Sequence, residues 1–148
     1  MIQLNLPPFQ YKIKKLNDKL YIFDYLRKKY IFLTPEEWVR QHFIHYLINE
    51  HHYPKTLIQI ERGLLYNGLL KRTDIVVFDK SGNPFITIEC KAADIILTQN
   101  TVDQAAQYNY ILKAPYLLIT NGLEIFCYKI FLQERRIEKL ESLPIFEN

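Results

Sequence analysis

The chain has 148 residues, of which 49% are hydrophobic and 24% are charged, and its formal net charge is +3. This composition is typical of a globular protein and excludes a disordered chain, and the length predicts a single domain, residues 1–148, with a core of its own. The charge is too small to indicate a polyanion partner by itself. No apolar run approaches the roughly 18 residues of a membrane span, and the first residues lack the pattern of a signal peptide.

The two cysteines of the sequence, Cys90 and Cys127, stand in apolar segments with the composition of β-strands. Two such residues provide neither a disulfide framework nor a metal-binding spacing. We therefore expect buried thiols in a protein of the reducing cytoplasm.

Residues 1–33 are a basic extension, and their sequence pattern predicts an N-terminal hairpin. Its two alternating runs, FQYKIKKL and KLYIFDYL, flank Asn17 and Asp18, which favour a tight turn. Seven basic residues in this extension are interleaved with tyrosines: Lys12, Lys14, Lys15, Lys19, Arg27, Lys28 and Lys29. Such a mixture suits a nucleic-acid backbone held by lysines and rings, and it equally suits a solvated edge that discourages strand addition.

The clearest helix signal in the chain is the segment LTPEEWVRQHFIHYLINEHHY. Thr34 can cap the helix, Pro35 suits its first turn, and Glu37 stands where a capping box has its carboxylate. Apolar residues follow at helical spacing. We expect the polar residues Arg40 and Gln41 on the surface of this helix.

The rest of the chain alternates between strand and helix signals. TLIQIERGL, TDIVVF and FITIEC predict three strands, the last two joined by the turn DKSGNP. LTQNTVDQAAQYNYILKA predicts a helix from about Thr101, capped by Thr101 or Asn100, and YLLIT with LEIFCYKIFL predicts a second hairpin. The order after the N-terminal hairpin is α-β-β-β-α-β-β, with a core over residues 34–132. The tail, residues 133–148, is charged and helical at most.

Charged residues stand at the ends of the two strands that the turn DKSGNP joins. A four-residue loop would pair Asp79 with Pro84. The same register puts Asp74 opposite Glu89, on one face of the sheet. Lys91 projects to the face of Glu89, roughly 7 Å away at the Cα atoms. Two carboxylates across a ladder repel each other unless a cation lies between them.

These three residues suit metal-dependent phosphodiester hydrolysis. Mg²⁺ is a hard cation that binds one or two carboxylates and several waters, and such an ion can activate a water and polarise a phosphodiester. Lys91 could then orient the nucleophile or balance the developing charge. The structural alternative is a solvated ion pair between Glu89 and Lys91, which is the commoner role of such residues at strand ends.

The pattern TDIVVF…FITIECKA resembles the PD-(D/E)XK nuclease superfamily, in which an Asp, an acidic residue and a Lys lie on two neighbouring strands. LTPEEWVRQHFIHYLI, KRTDIVVFD, IECKA, DQAAQYNY and LLITNG together are similar to the N-terminal domain of type I restriction enzyme R (motor) subunits and its small stand-alone relatives. The resemblance runs from about Asp24 to Tyr128. It implies an α/β, restriction-endonuclease-like fold with a mixed central sheet, an α-β-β-β-α-β core and helices on both faces.

The resemblance also implies residue roles in a Mg²⁺-dependent DNA endonuclease, with Mn²⁺ as a possible substitute. Asp74 and Glu89 would bind the metal, and Lys91 would assist the attacking water. Gln104 and Tyr108 match the Q-x-x-x-Y motif of the related nuclease subgroup and share one helical face, where they would shape the catalytic site. The structural alternative for this pair is a buried tyrosine and an amide that satisfies a backbone group.

Four more residues are candidates around this set. Glu37 could add a third metal-binding carboxylate from the first core helix, or it could only cap that helix. Arg62, Lys71 and Arg72 lie near the proposed site in the sequence and are candidates for contacts with DNA phosphates.

The sequence contains no G-x-x-x-x-G-K-[ST] loop, so translocation of DNA would require a restriction-system or helicase partner on another chain. A catalytically inactive nucleic-acid-binding or complex-assembly module of the same fold is the alternative function, because a fold does not guarantee an activity.

Overall fold

The computed structural model describes residues 1–60, 64–66, 69–71 and 74–146, and for 64–66 and 69–71 the description is confined to the backbone. Two α-helices and eleven strands follow one another in these residues. In chain order they are β1 (Ile13–Leu16), β2 (Lys19–Asp24), β3 (Lys29–Phe32), α1 (Pro35–Asn49), β4 (Ile58–Ile60), β5 (Leu64–Tyr66), β6 (Leu69–Lys71), β7 (Ile75–Phe78), β8 (Pro84–Cys90), α2 (Gln99–Leu112), β9 (Tyr116–Thr120), β10 (Ile125–Phe131) and β11 (Arg136–Leu140).

The centre of the fold is a six-stranded sheet with the order β11-β10-β9-β8-β7-β4. β8 and β9 are parallel and are joined through α2, whereas the other neighbours are antiparallel. This sheet is therefore mixed, and the predicted α/β class is confirmed. β5 and β6 form a separate two-stranded sheet, and β1, β2 and β3 form a third one.

The two helices cover opposite faces of the central sheet. Val39, Phe43 and Leu47 of α1 lie in one apolar cluster with Leu118 of β9. Its two neighbours in β9, Leu117 and Ile119, lie in a second apolar cluster with Val102 and Ala105 of α2. Because side chains alternate along a strand, the two clusters lie on the two sides of the sheet, as the sequence predicts. Neither helix in the described part of the chain is long and apolar enough to cross a bilayer.

Both cysteines are buried free thiols, as the sequence predicts. Burial raises the pKa of Cys127 to about 11. Burial and the neighbouring Asp74 carboxylate raise the pKa of Cys90 well above its ordinary value. Both side chains are therefore neutral and unreactive at neutral pH, because the thiolate is the nucleophilic form.

Two exposed edge strands correct the sequence prediction. The N-terminal extension is a three-stranded sheet and not a hairpin, because β3 pairs with β2. The tail is not helical, since Arg136–Leu140 forms β11 on the edge of the central sheet. Both strands are short and consist largely of exposed residues, so neither carries the alternation of buried and exposed positions that marks a strand in a sequence.

The helix starts are partly as predicted. Thr34 caps α1, and its hydroxyl accepts a hydrogen bond from the Glu37 N–H at 3.0 Å. α2 begins earlier than predicted, at Gln99, with Thr98 as its cap. Thr101 is the reciprocal partner in a capping box with Thr98, and not the cap itself.

The buried carboxylate of Asp24 fastens the N-terminal sheet to α1. Its Oδ1 accepts hydrogen bonds from the N–H groups of Leu26 and Arg27 at 2.8 and 2.9 Å. Its Oδ2 accepts from Arg27 Nε at 2.6 Å and from Gln41 Nε2 of α1 at 3.0 Å. Burial alone would raise the pKa of Asp24, but the hydrogen bonds and charge of Arg27, with the Gln41 amide, lower it below the ordinary carboxyl value.

Asp24→Asn is expected to lower the free energy of unfolding by roughly 1–3 kcal/mol at neutral pH, because the variant keeps the shape but loses the charge that Arg27 contacts. Because the pKa of Asp24 is lower in the native state than in the unfolded state, its carboxylate stabilises the fold fully above the unfolded-state pKa, which is about 4. This stabilisation is lost as the pH falls through the native-state pKa. Denaturant unfolding from pH 7 to pH 2 should therefore show the difference between parent and variant shrinking in acid. Asp18→Asn is the control, because Asp18 is exposed and lies 3.9 Å from Lys15. A difference that does not change with pH would contradict this account.

Candidate functional site

The candidate site lies at the end of the central sheet where β7 begins and β8 ends. Ile75 pairs with Ile88, and the Asp74 N–H donates to the Ile88 carbonyl at 3.2 Å. From Ile75 to Val77 this register is the one that the sequence predicts, and the predicted pair of Asp74 with Glu89 lies just beyond the paired residues. The turn differs from the prediction, because Phe78 and not Asp79 pairs with Pro84. A bulge between Val77 and Phe78 absorbs the shift of one residue.

The carboxylate of Asp74 is turned around the strand end towards α1. Its Oδ1 accepts a hydrogen bond from Arg40 Nη2 at 2.7 Å, and its Oδ2 accepts from the Cys90 N–H at 2.6 Å. The sequence predicts that this carboxylate shares a face with Glu89. Because Asp74 precedes β7, no strand pairing fixes its face, and the shared face stays a prediction.

Glu89 lies on the α2 side of the sheet near the end of β8, and Lys91 follows this strand. Glu89 pairs with Ile119 in the parallel ladder, and Ile119 packs under α2. Lys91 Nζ lies 2.9 Å from Glu89 Oε1, and the two side chains are 29% and 19% exposed. In the described part of the chain, no hydrogen bond or ion pair joins Asp74 to either residue. The three nevertheless converge on one turn of chain, because Asp74 bonds to Cys90, which stands between Glu89 and Lys91.

The electrostatics link these residues more closely than their hydrogen bonds do. Burial disfavours the Lys91 ammonium, but its bond to Glu89 and the charges of Glu89, Glu36 and Asp74 outweigh burial and raise the pKa of Lys91. Lys91 is therefore a cation at neutral pH. It can donate hydrogen bonds and balance negative charge, but it cannot accept a proton.

Arg40 is the main contact residue of α1 at this site, and the prediction that it lies on the surface is wrong. Its Nη2 lies 2.8 Å from Glu36 and 2.7 Å from Asp74, and its Nη1 lies 2.6 Å from Glu37. The side chain is only 11% exposed. Burial would lower the pKa of Arg40, but Asp74 and Glu37 raise it above its ordinary value. The spacing of Arg40 from Glu36 and Glu37 is the sequence signal for these contacts within the helix.

Glu37 is linked to Asp74 only through Arg40, and no hydrogen bond or ion pair in the described residues joins it to Asp74 or Glu89 directly. Besides Arg40, its carboxylate accepts hydrogen bonds from Gln41 Nε2 at 2.9 Å and from Arg27 Nη2 at 3.3 Å. Gln41 is 1% exposed, so its predicted surface position is wrong as well. Within residues 1–60 and 74–146, no three His, Cys, Asp or Glu side chains are placed to hold one metal ion.

Of the two residues that the sequence predicts for the site on α2, one is exposed and the other is buried. Gln104 is exposed, whereas Tyr108 is 3% exposed. The neighbouring Asn109, which sequence reasoning missed, fastens α2 to the sheet. Its Oδ1 accepts from Thr87 Oγ1 of β8 at 3.2 Å, and its Nδ2 donates to the Ala114 carbonyl at 2.9 Å. Tyr108 is thus held beside the sheet face that carries Glu89, and the catalytic role of the pair stays a prediction.

The predicted phosphate-binding residues lie largely outside the described structure. Arg62 and Arg72 are not among the described residues, and Lys71 is described only as backbone, at the end of β6. Their contacts with DNA stay predictions.

The carboxylates of Asp74 and Glu89 are the type of ligand that a hard divalent cation prefers. Glu37 does not suit a third ligand, because its carboxylate already binds Arg27, Arg40 and Gln41. Mg²⁺ is commonly held by one or two protein carboxylates with waters completing its shell, and Asp74 and Glu89 supply that number. A carboxylate oxygen offers two lone pairs, so Asp74 Oδ2 can accept the Cys90 N–H and still contact an ion. Arg40 is the competitor for Oδ1.

The comparison with protein families agrees with the wider resemblance of the sequence. None of the curated proteins matches the chain. The model of the N-terminal region of type I restriction enzyme R proteins matches residues 35–144, which run from the first residue of α1 to beyond β11 and include Asp74, Glu89 and Lys91. The chain therefore belongs to the family described as type I restriction enzyme R protein N terminus (HSDR_N).

Proposed function

We propose that this chain is a nuclease of the PD-(D/E)XK superfamily, with a restriction-endonuclease-like core, that cleaves phosphodiester bonds of DNA with Mg²⁺ or Mn²⁺. The observation that supports the proposal is the hydrogen bond from the Cys90 N–H to Asp74, because Cys90 stands between Glu89 and Lys91, which pair with each other. Membership in a family named for restriction enzymes supports DNA as the substrate. A restriction-system or helicase partner on another chain would supply translocation.

The residues of the site would divide the work by charge. Asp74 and Glu89 would hold the cation through their carboxylate oxygens. The bound ion would supply Lewis acidity, which lowers the pKa of a water and neutralises charge on the phosphate. Lys91, fixed as a cation by Glu89, would donate hydrogen bonds to a phosphate oxygen or to the attacking water. Tyr108 and Gln104 would bound the site from the side of α2.

Arg40 sets the balance of charge before the ion binds. The guanidinium lies among three carboxylates, those of Glu36, Glu37 and Asp74. It orients the Asp74 carboxylate, and it competes with a divalent cation for the Oδ1 oxygen. A cation that binds at Oδ1 must therefore loosen the contact with Arg40.

The second candidate function is an inactive module that binds nucleic acid or assembles a larger complex. The contact between Arg40 and Asp74 favours it, because an arginine can replace a metal as the counter-charge of a carboxylate. The cleavage experiment below separates the two functions.

Purified protein is expected to nick supercoiled plasmid DNA with Mg²⁺ or Mn²⁺ and not with EDTA. Asp74→Ala and Lys91→Ala should each reduce the rate by about 100-fold or more, since loss of one charge-stabilising group at a catalytic centre commonly has such an effect. Lys139→Ala is the matched control, because Lys139 is an exposed lysine on β11, at the far edge of the sheet. Binding of DNA without cleavage under any of these conditions would overturn the nuclease and support the inactive module.

Mg²⁺ is expected to raise the unfolding temperature of the parent by mass action, and Asp74→Asn should abolish this shift. Arg40→Met should lower the free energy of unfolding by roughly 3 kcal/mol without the metal, because it leaves buried carboxylates unpaired. The same variant should show a larger Mg²⁺-dependent shift than the parent, because the competing cation is gone. Thermal unfolding with Mg²⁺ and with EDTA measures all three effects.

Arg136→Met is the control for this series, because the ion pair of Arg136 with Glu138 is exposed and lies on β11. An unfolding temperature of the parent that does not respond to Mg²⁺, or a shift that survives in Asp74→Asn, would contradict the proposed ion site.

A further inference from the structure

The N-terminal sheet has one face on α1 and the other in solvent. Ile22 and Asp24 of β2 are fully buried and belong to the inner face, and Leu33 joins the same core. Because side chains alternate along a strand, Tyr21 and Phe23 project to the outer face.

The outer face carries two cross-strand pairs of aromatic rings. Tyr21 of β2 lies opposite Phe32 of β3, with ring centroids 5.9 Å apart. Phe23 lies opposite Tyr30, with stacked rings 5.3 Å apart, and Tyr25 stacks on Phe23 at 5.1 Å. Tyr30 and Phe32 remain 38% and 50% exposed. We call the four residues Tyr21, Phe23, Tyr30 and Phe32 the outer aromatic face.

Three lysines lie over this face. Lys14 Nζ is 4.1 Å from the centroid of the Tyr30 ring. Lys12 Nζ is 5.9 Å from the Phe23 ring, and Lys19 Nζ is 5.8 Å from the Phe32 ring. The ammonium groups are therefore held beside ring faces and do not form ion pairs there.

Residues 12–32, all of which the structure describes, contain two acidic residues, and both point away from this face. Asp24 is buried on the inner side with Arg27. Asp18 stands in the turn between β1 and β2 and lies 3.9 Å from Lys15, on the opposite side of β1 from Lys14. The outer aromatic face is thus positive, because neither acidic residue of the segment 12–32 neutralises its lysines.

The edge of the central sheet offers a comparison within the same chain. Lys139 lies 4.5 Å from the Phe126 ring, and Arg136 lies 3.9 Å from the Phe131 ring. There, however, Glu138 pairs with Arg136 at 3.0 Å. A cation over an aromatic ring therefore occurs on both sheets, and the two cross-strand pairs of rings are what distinguish the N-terminal sheet.

We propose that the outer aromatic face binds a single-stranded polynucleotide. Unpaired bases would stack on the exposed rings, and Lys12, Lys14 and Lys19 would contact the phosphates. Stacking requires bases whose faces are free, so the surface suits a single strand and not an intact duplex. Rings and ammonium groups contact features that DNA and RNA share, so both would bind.

This surface is distinct from the proposed cleavage site. It is built by β1, β2 and β3, whereas Asp74, Glu89 and Lys91 lie at the end of the central sheet. Its binding needs no metal ion. Failure of the nuclease proposal would therefore leave this inference intact, and the reverse also holds.

Fluorescence anisotropy with labelled oligothymidine and oligouridine of about 15 nucleotides tests the inference, in EDTA so that cleavage cannot occur. Both single strands are expected to bind more tightly than a duplex of equal length. Tyr30→Leu and Phe32→Leu should each weaken binding roughly 5- to 100-fold, because leucine keeps an apolar side chain but offers no ring. Lys14→Gln should reduce the slope of log affinity against log salt by about 0.7.

Lys139→Gln is the control, and it should bind as the parent does. Circular dichroism of every variant establishes that the sheet has folded, and Lys12→Gln provides a second charge variant that leaves all rings in position. The inference is overturned if the parent binds neither single strand, or if it binds duplex equally well. Retention of parental affinity in both leucine variants would also overturn it, because binding would then depend on charge alone.

Discussion

The hydrogen bonds of one carboxylate, that of Asp74, hold the candidate site together. One oxygen accepts from Arg40 of α1 and the other from the backbone of Cys90 at the end of β8. A helix on one face of the sheet is thereby joined to the strand end that carries Glu89 and Lys91. Without this bridge, the acidic and basic residues of the site would belong to separate elements with no common point.

The charges around this bridge are mostly removed from water, and this decides how they behave. Asp74 and Arg40 are each 11% exposed, and Glu37 is 5% exposed. In such surroundings an unpaired charge is strongly unfavourable, so each carboxylate has a cation or donor beside it. The positive and negative charges of the site therefore nearly balance. A further cation or a phosphate would have to replace one of the existing ion-pair partners at the position where it binds.

The sequence predicts best what is encoded locally. α1, β8 and the register from Ile75 to Val77 follow from capping residues and alternation, and all of them agree with the structure. The contact of Arg40 with Asp74 could not be predicted, because the two residues are 34 positions apart and only the packing of α1 on the sheet joins them. β3 and β11 were not predicted for a similar reason. Their hydrogen bonds come from neighbouring strands, and their own side chains are mostly exposed.

The contacts described above form one row of alternating sign from the N-terminal sheet to the site. In this row each residue contacts the next, in the order Asp24, Arg27, Glu37, Arg40 and Asp74. Loss of either arginine leaves two acids facing each other, and loss of Glu37 leaves two guanidinium groups facing each other. In related sequences, two adjacent residues of this row would therefore have to be substituted together. A substitution at one position would indicate a second substitution at the residue that it contacts.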